Sequence, residues 1–187
     1  GSAGDVTLEG TTIDLEDGTN TLDASGVANF QQGFRYIGGT GTDALNFGST
    51  LTVNGAIADI SLGDTAANSV NVTDDAVFNQ GLSVLGGDNV DDLNFELITV
   101  NGGAANIDLG AGTNTLDTTD AATFNMGVAY TGTAGSDDLN FGTTLTVTGG
   151  DATFDLGDTT ANSLTVTGAT DIDGALIVTG GDATEDI

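Results

Sequence analysis

The chain has 187 residues and lacks cysteine, proline, histidine, tryptophan and lysine; its only basic residue is Arg35. Each absence excludes something. With no cysteine there is neither a disulfide framework nor a thiolate, and the redox compartment is left open. Without histidine, cysteine or lysine, carboxylates are the only ordinary general bases, and a His-assisted nucleophile is impossible. Paired carboxylates could serve glycoside hydrolysis, but no segment is long enough to build a pocket over them, so the expectation is a protein that is not an enzyme. Twenty-eight acidic residues against one arginine give a net charge of -27. That excludes nucleic acid as a direct partner, since phosphate contacts need Lys and Arg, and argues against docking on anionic lipid. No apolar run approaches the roughly 20 residues of a membrane helix, so no membrane insertion is expected. Apolar stripes at helical spacing are missing as well.

What is present is glycine, 30 residues of it, with abundant Thr, Asn and Asp. GGTGTDALN (Gly38–Asn46) returns as GGDNVDDLN (Gly86–Asn94), GTAGSDDLN (Gly132–Asn140) and a shortened GGDATEDI (Gly180–Ile187). A sister form, GTNTLD, stands at Gly18–Asp23 and Gly112–Asp117, with looser forms at Thr65–Asn71 and Thr159–Thr165. Aligned on their last apolar residue, they give one column: Leu22, Leu45, Val70, Leu93, Leu116, Leu139, Leu164 and Ile187. The steps are 23, 25, 23, 23, 23, 25 and 23 residues. Two residues before that column stand Asn20, Asp43, Asn68, Asp91, Asn114, Asp137, Asn162 and Glu185, where amide and acid alternate without a miss. The true unit is therefore a pair of coils, and the chain reads as one domain of four such pairs, roughly 1–45, 46–93, 94–139 and 140–187.

Within each coil the apolar residues alternate with polar ones in three short groups. Phe47, Val72, Phe95, Phe141 and Val166 follow the column by two residues. Leu51 with Val53, Ile98 with Val100, and Leu145 with Val147 form a second group, centred in the alternate coils on Phe30, Phe78, Phe124 and Ile172. Pairs such as Phe34 with Tyr36 and Ile60 with Leu62 form the third. Period-two alternation indicates strands with one face inward, and Gly, Asn and Asp between them indicate tight turns. Three strands per coil, repeated in constant phase, predict an all-β fold: a parallel β-solenoid of about eight coils of 23–25 residues. Right-handed winding is expected from the general handedness of parallel crossovers. At the amide–acid column, stacked side chains are expected to hydrogen-bond from coil to coil. Placing a neutral amide between carboxylates relieves the repulsion of like charges at adjacent levels. Asn20, Asn68, Asn114, Asn162 and Glu185 are the expected ladder residues.

GGTGTDALN matches GGxGxDxUx at every specified position and so resembles the nonapeptide of RTX proteins, the secreted calcium-binding β-rolls of bacteria. The resemblance is local, with one full match and three degraded ones. It implies a calcium ion held by turn carbonyls and carboxylates, with Asp43, Asp91 and Asp137 as candidate ligands helped by Asp88, Asp92 and Asp138. The sequence departs from the family in two ways: the motif recurs once per coil rather than every nine residues, and alternate coils carry Asn in place of Asp. Leu164–Gly181 is similar in composition to low-complexity repeats of bacterial surface adhesins and phage tail fibres, which implies an extracellular or cell-surface setting.

The column runs in phase to Ile187, and neither end of the sequence carries a capping helix or charged loop. The expectation is a structural extracellular protein that stacks on itself head to tail as a filament subunit, or forms a segment of a longer surface solenoid. The alternative is a monomeric binding module, an adhesin or ice-binding solenoid, working through one flat face. Thr52, Thr99 and Thr146 align for such a face, but Asn29, Val77, Thr123 and Asp171 alternate with them, so a regular Thr array is missing.

Overall fold

The computed structural model describes residues 6–158, 161–181 and 186–187. Among them there is no helix; the chain is a parallel β-solenoid of about seven turns. Of the expected eighth row, the described residues include a parallel bridge between Ser163 and Asp186.

The strands form three faces. The first face carries the sequence column and holds Asn20–Ala24, Asp43–Phe47, the early parts of Asn68–Phe78 and Asp91–Val100, the late parts of Ala105–Thr118 and Val128–Phe141, and Ser163–Val166. Val6–Leu8, Ala28–Phe30, Leu51–Val53, Ala122–Phe124, Thr144–Val147 and Ala169–Ile172, with the remainders of Asn68–Phe78 and Asp91–Val100, make the second. The third contains Thr11–Glu16, Phe34–Gly38, Ala58–Ser61, Leu82–Gly87, Ala152–Asp155 and Leu176–Thr179, with the early parts of Ala105–Thr118 and Val128–Phe141. Among the described residues every pairing between rows is parallel, and the column pairs in register: Leu22 with Leu45, Leu45 with Val70, then Leu93, Leu116, Leu139 and Leu164 in turn.

One feature differs from the sequence expectation of three separate short strands per coil. Four strands run 10 to 14 residues and bend through a corner as one continuous strand. They turn by register shifts, between Phe95 and Leu97 and around Gly110. A bulge supplies the extra residue that lets a strand change direction while it stays hydrogen-bonded.

The core is the stack of inward columns, and it too has a two-coil period. On the first face Phe47, Phe95 and Phe141 alternate with Ala24, Val72, Thr118 and Val166. Along the third face Phe34, Leu82 and Val128 alternate with Ala58, Ala105 and Ala152. Large beside small in adjacent rows lets the layers interdigitate at interior packing density. Phe30, Phe34 and Phe47, one from each face, meet at the centre with ring centroids 4.5 and 6.2 Å apart. The column residues from Leu45 to Leu164 are buried and Leu22 is partly so. Ile187 departs from its expected core position: the bridge at Asp186 keeps it in phase, yet it is 72% exposed because no row covers it among the described residues.

Candidate functional site: the amide–acid column

The inward residue that opens each row of the first face belongs to one continuous hydrogen-bonded chain. Asn20 Nδ2 donates to Asp43 Oδ1 at 3.0 Å, and the Asp43 backbone N–H donates to Asn68 Oδ1 at 2.9 Å. Asn68 Nδ2 then donates to Asp91 Oδ1 at 2.9 Å, and the Asp91 N–H to Asn114 Oδ1 at 3.1 Å. Asn114 Nδ2 donates to Asp137 Oδ1 at 3.0 Å, and the Asp137 N–H to Asn162 Oδ1 at 2.8 Å. Each of Asn68 and Asn114 thus accepts from the backbone of the preceding row and donates to the carboxylate of the next. Of the two side-chain types in the column only the amide can do both, because an ionised carboxylate has no donor. The alternation read from the sequence is this division of labour. Glu185 lies outside the described residues.

The three acids are 1%, 0% and 2% exposed at Asp43, Asp91 and Asp137. Burial pushes the carboxyl groups of Asp91 and Asp137 above the usual carboxylate range. The Gly87 N–H, 2.9 Å from Oδ2, and the Asn68 amide pull Asp91 back; the Asn114 amide does the same for Asp137. Two tyrosines stand seven residues before an acid. The buried Tyr36 hydroxyl donates to Asp43 Oδ1 at 2.9 Å, and burial followed by the adjoining carboxylate raises its phenol. Tyr130 lies beside Asp137 in the same way, and burial followed by that carboxylate raises its phenol; its hydroxyl faces the acid in a looser geometry than that of Tyr36. The middle acid has Val84 at that place and uses the Gly87 N–H instead.

A glycine five residues before each acid makes room for the carboxylate. A Cβ on Gly38, Gly86 or Gly132 would lie 2.1, 2.3 or 1.8 Å from Oδ2 of Asp43, Asp91 or Asp137. The first glycine of the nonapeptide therefore serves close packing of an inward acid. Amide rows solve the same corner differently. Gly63, Gly110 and Gly157 adopt φ of 88°, 66° and 75°, each 47 residues after the one before. Glu16 occupies the equivalent place in the first amide row with φ 55°.

Of the six candidate calcium ligands, Asp43, Asp91 and Asp137 point inward onto the amides. Asp92 and Asp138 follow Asp91 and Asp137 directly and so point to the opposite side of the strand, and Asp88 is exposed in the turn. Asp138 accepts from the Ser163 hydroxyl. Among the described residues no three acidic side chains converge as a metal ion would need.

Two further polar columns were not foreseen. At the corner between the second and third faces, Asn54 donates to Asn29, Asn79 to Asn54, Asn101 to Asn79, and Asn125 to Asn101, at 2.6 to 3.1 Å. Thr148 Oγ1 continues it onto Asn125 at 3.1 Å. The signal was an Asn directly after the last apolar residue of the second strand, as in Val53-Asn54 and Phe78-Asn79. Outside the first face, Asn46 donates to Asp23, Asn71 to Asn46 and Asn94 to Asn71 at 2.8 to 2.9 Å. Arg35 points outward and pairs with Asp59 at 3.1 Å, and no helix among the described residues is long and apolar enough to cross a membrane.

Compared with family models, curated proteins and solved structures, the chain matches none of them.

Proposed function

We propose that this is a structural extracellular protein that works by its shape: a rod that extends coil on coil, either by stacking copies end to end or as a stretch of a longer solenoid. The carrying observation is the contrast between the middle and the terminal rows. In the third-face column where Leu82 and Ala105 are fully buried, Leu176 is 52% exposed, and the next inward position of its strand, Val178, is only partly buried. Among the described residues such a row presents an unpaired strand edge and apolar side chains together, a template for another parallel row. The contact is heterologous and does not close, which gives a filament. A rod role needs no catalytic group, consistent with acids that are enclosed by amide donors. Calcium enters this reading as a counter-ion for the outward acids, whose self-repulsion it would screen.

Negative-stain electron microscopy of the purified chain, with calcium and then with chelator, tests it. The expected result is unbranched fibres, shortened or lost in chelator. Fibres indifferent to chelator would remove calcium from the reading, and short separate rods under both conditions would overturn end-to-end stacking.

A further inference from the structure

The acids are not spread evenly around the rod. Over five consecutive rows, from 28–34 through 51–58, 76–82 and 98–105 to 122–128, the second-face segment and the corner that follows it carry no charged residue; the sixth keeps 145–150 uncharged and then places Asp151 at the corner. In a chain of net charge -27, these segments form an uncharged stripe along one side. Its outward column on the second face is Asn29, Thr52, Val77, Thr99, Thr123 and Thr146, held in register by parallel pairing. At the corner stand Ile57 and Met126, 43% and 49% exposed. The Asn54–Asn125 column lies along this corner and ties its rows together side chain to side chain, so the surface is pre-organised. Charges resume at the limits of the stripe, with Glu9 before it, Asp151 after it, Asp75 and Glu96 on one flank and Asp59 on the other.

We propose that this stripe is a lateral self-association surface, on which a second copy of the same chain packs side by side through its own stripe. The charge distribution favours that occupant. A neutral ligand has no need of a surface cleared of carboxylates, whereas a partner that is itself at -27 can approach closely only where they are missing. No other face offers this: the first face carries Asp23, Asp92, Asp117 and Asp138 outward, and the third Asp14, Asp59 and Asp108. Two identical stripes related by a twofold axis make an isologous contact. Six rows spaced by about 4.8 Å give a length of roughly 24 Å, and a three-residue strand with its corner spans roughly 20 Å. Each copy then contributes on the order of 500 Å², which puts the pair at the low end of specific interfaces. The contact is weak per molecule and adds up along a rod. It goes beyond end-to-end growth and does not depend on it.

The test uses small-angle scattering and analytical ultracentrifugation of the full chain at about 0.15 M and about 1 M salt, where the screening length falls from about 8 to about 3 Å. Pairing appears as a larger cross-section and mass per length, whereas end stacking appears as greater length, so the two readings fail separately. The expected result is lateral pairing that strengthens with salt. Thr52→Asp with Thr123→Asp, three rows apart on the stripe, should weaken it by about tenfold or more, since like charges would face each other across the contact. Ser83→Asp with Thr153→Asp, three rows apart and outward on the third face, adds the same charge and should leave pairing unchanged. Met126→Glu is a single-site version of the first variant at an exposed corner. Single rods at both salts would overturn the proposal, as would equal effects of the two double variants. Capture of the chain by a neutral glycan or an ice surface while it stays unpaired would also overturn it.

Discussion

Replacing Asn68 by Asp puts a third carboxylate between two others. Asn68 Oδ1 accepts from the Asp43 N–H, and a carboxylate oxygen can still do that. Its other oxygen would then face Asp91 Oδ1 across the present 2.9 Å donor–acceptor distance. Two unit charges about 3 Å apart at an effective dielectric of about 20 repel by roughly 5 to 6 kcal/mol. Holding one proton between them is the alternative, at about 1.4 kcal/mol for each pH unit above the ordinary carboxyl pKa, or roughly 4 kcal/mol at pH 7. The proton is the smaller penalty, so the variant should fold with a shared proton and a deficit of roughly 4 kcal/mol at neutral pH. The folded-state pKa of the pair is raised, so its contribution is fully present below the unfolded value and is lost as pH rises through the folded one. The deficit should therefore shrink by about 1.4 kcal/mol per pH unit on acidification and be nearly gone near pH 4. Urea unfolding followed by circular dichroism, for variant and wild type at several pH values, reads the difference directly. Asn71→Asp, on the half-buried outward column, is the control and should lose no more than about 1 kcal/mol with little pH dependence. A deficit that does not change with pH, or no deficit, would refute the donor–acceptor logic of the column.

In the wild type, Asp91 and Asp137 are raised by burial, so their contribution is greatest below the usual carboxylate range and fades as pH rises through the folded values; thermal unfolding should show midpoints rising as the solution is acidified from neutral. Gly132→Ala puts a methyl 1.8 Å from Asp137 Oδ2 and should destabilise by about 1–3 kcal/mol, with a much smaller further loss in an Asp137→Ala background, as a double-mutant cycle would measure. Tyr36→Phe removes a donor to Asp43 and should lose about 1–2 kcal/mol in urea unfolding, and no loss would contradict the bonding described. Glu16→Gly, which relieves a left-handed backbone at a corner where later amide rows have glycine, should stabilise by about 1 kcal/mol in urea unfolding.

The fold was legible because a solenoid writes its cross-section into the sequence at a fixed period. Once Leu22, Leu45 and Val70 are aligned, every other inward residue falls into place, and register follows from the step lengths. The corners were less legible. The continuous strand from Ala105 to Thr118 passes through Gly110 and Gly112, residues that read as a break between strands. The acids were the hardest to place. Gly38–Asn46 has the letters of a calcium loop, and the same letters serve a tight turn around an inward carboxylate. What the structure places beside each acid is a group one coil away, an amide 23 residues earlier in the chain that donates to it. No local motif contains that partner. The Asn54–Asn125 column escaped notice for a related reason, since each coil contributes only one residue to it.

The amide–acid column also sets the step by which such a protein can change length over time. Excising the single coil opened by Asn68 would seat the row of Asp43 directly on that of Asp91, acid against acid, with the Asp43 N–H and the Asp91 carboxylate both deprived of the amide between them. Adding one coil of either kind misphases everything beyond it. Tandem duplication or deletion of two coils, 46 or 48 residues at a time, restores donor to acceptor on both sides of the join and returns large core residues opposite small ones. Inherited variation in the length of this rod should therefore come in even numbers of coils, so that a gene for a longer relative would differ by whole pairs.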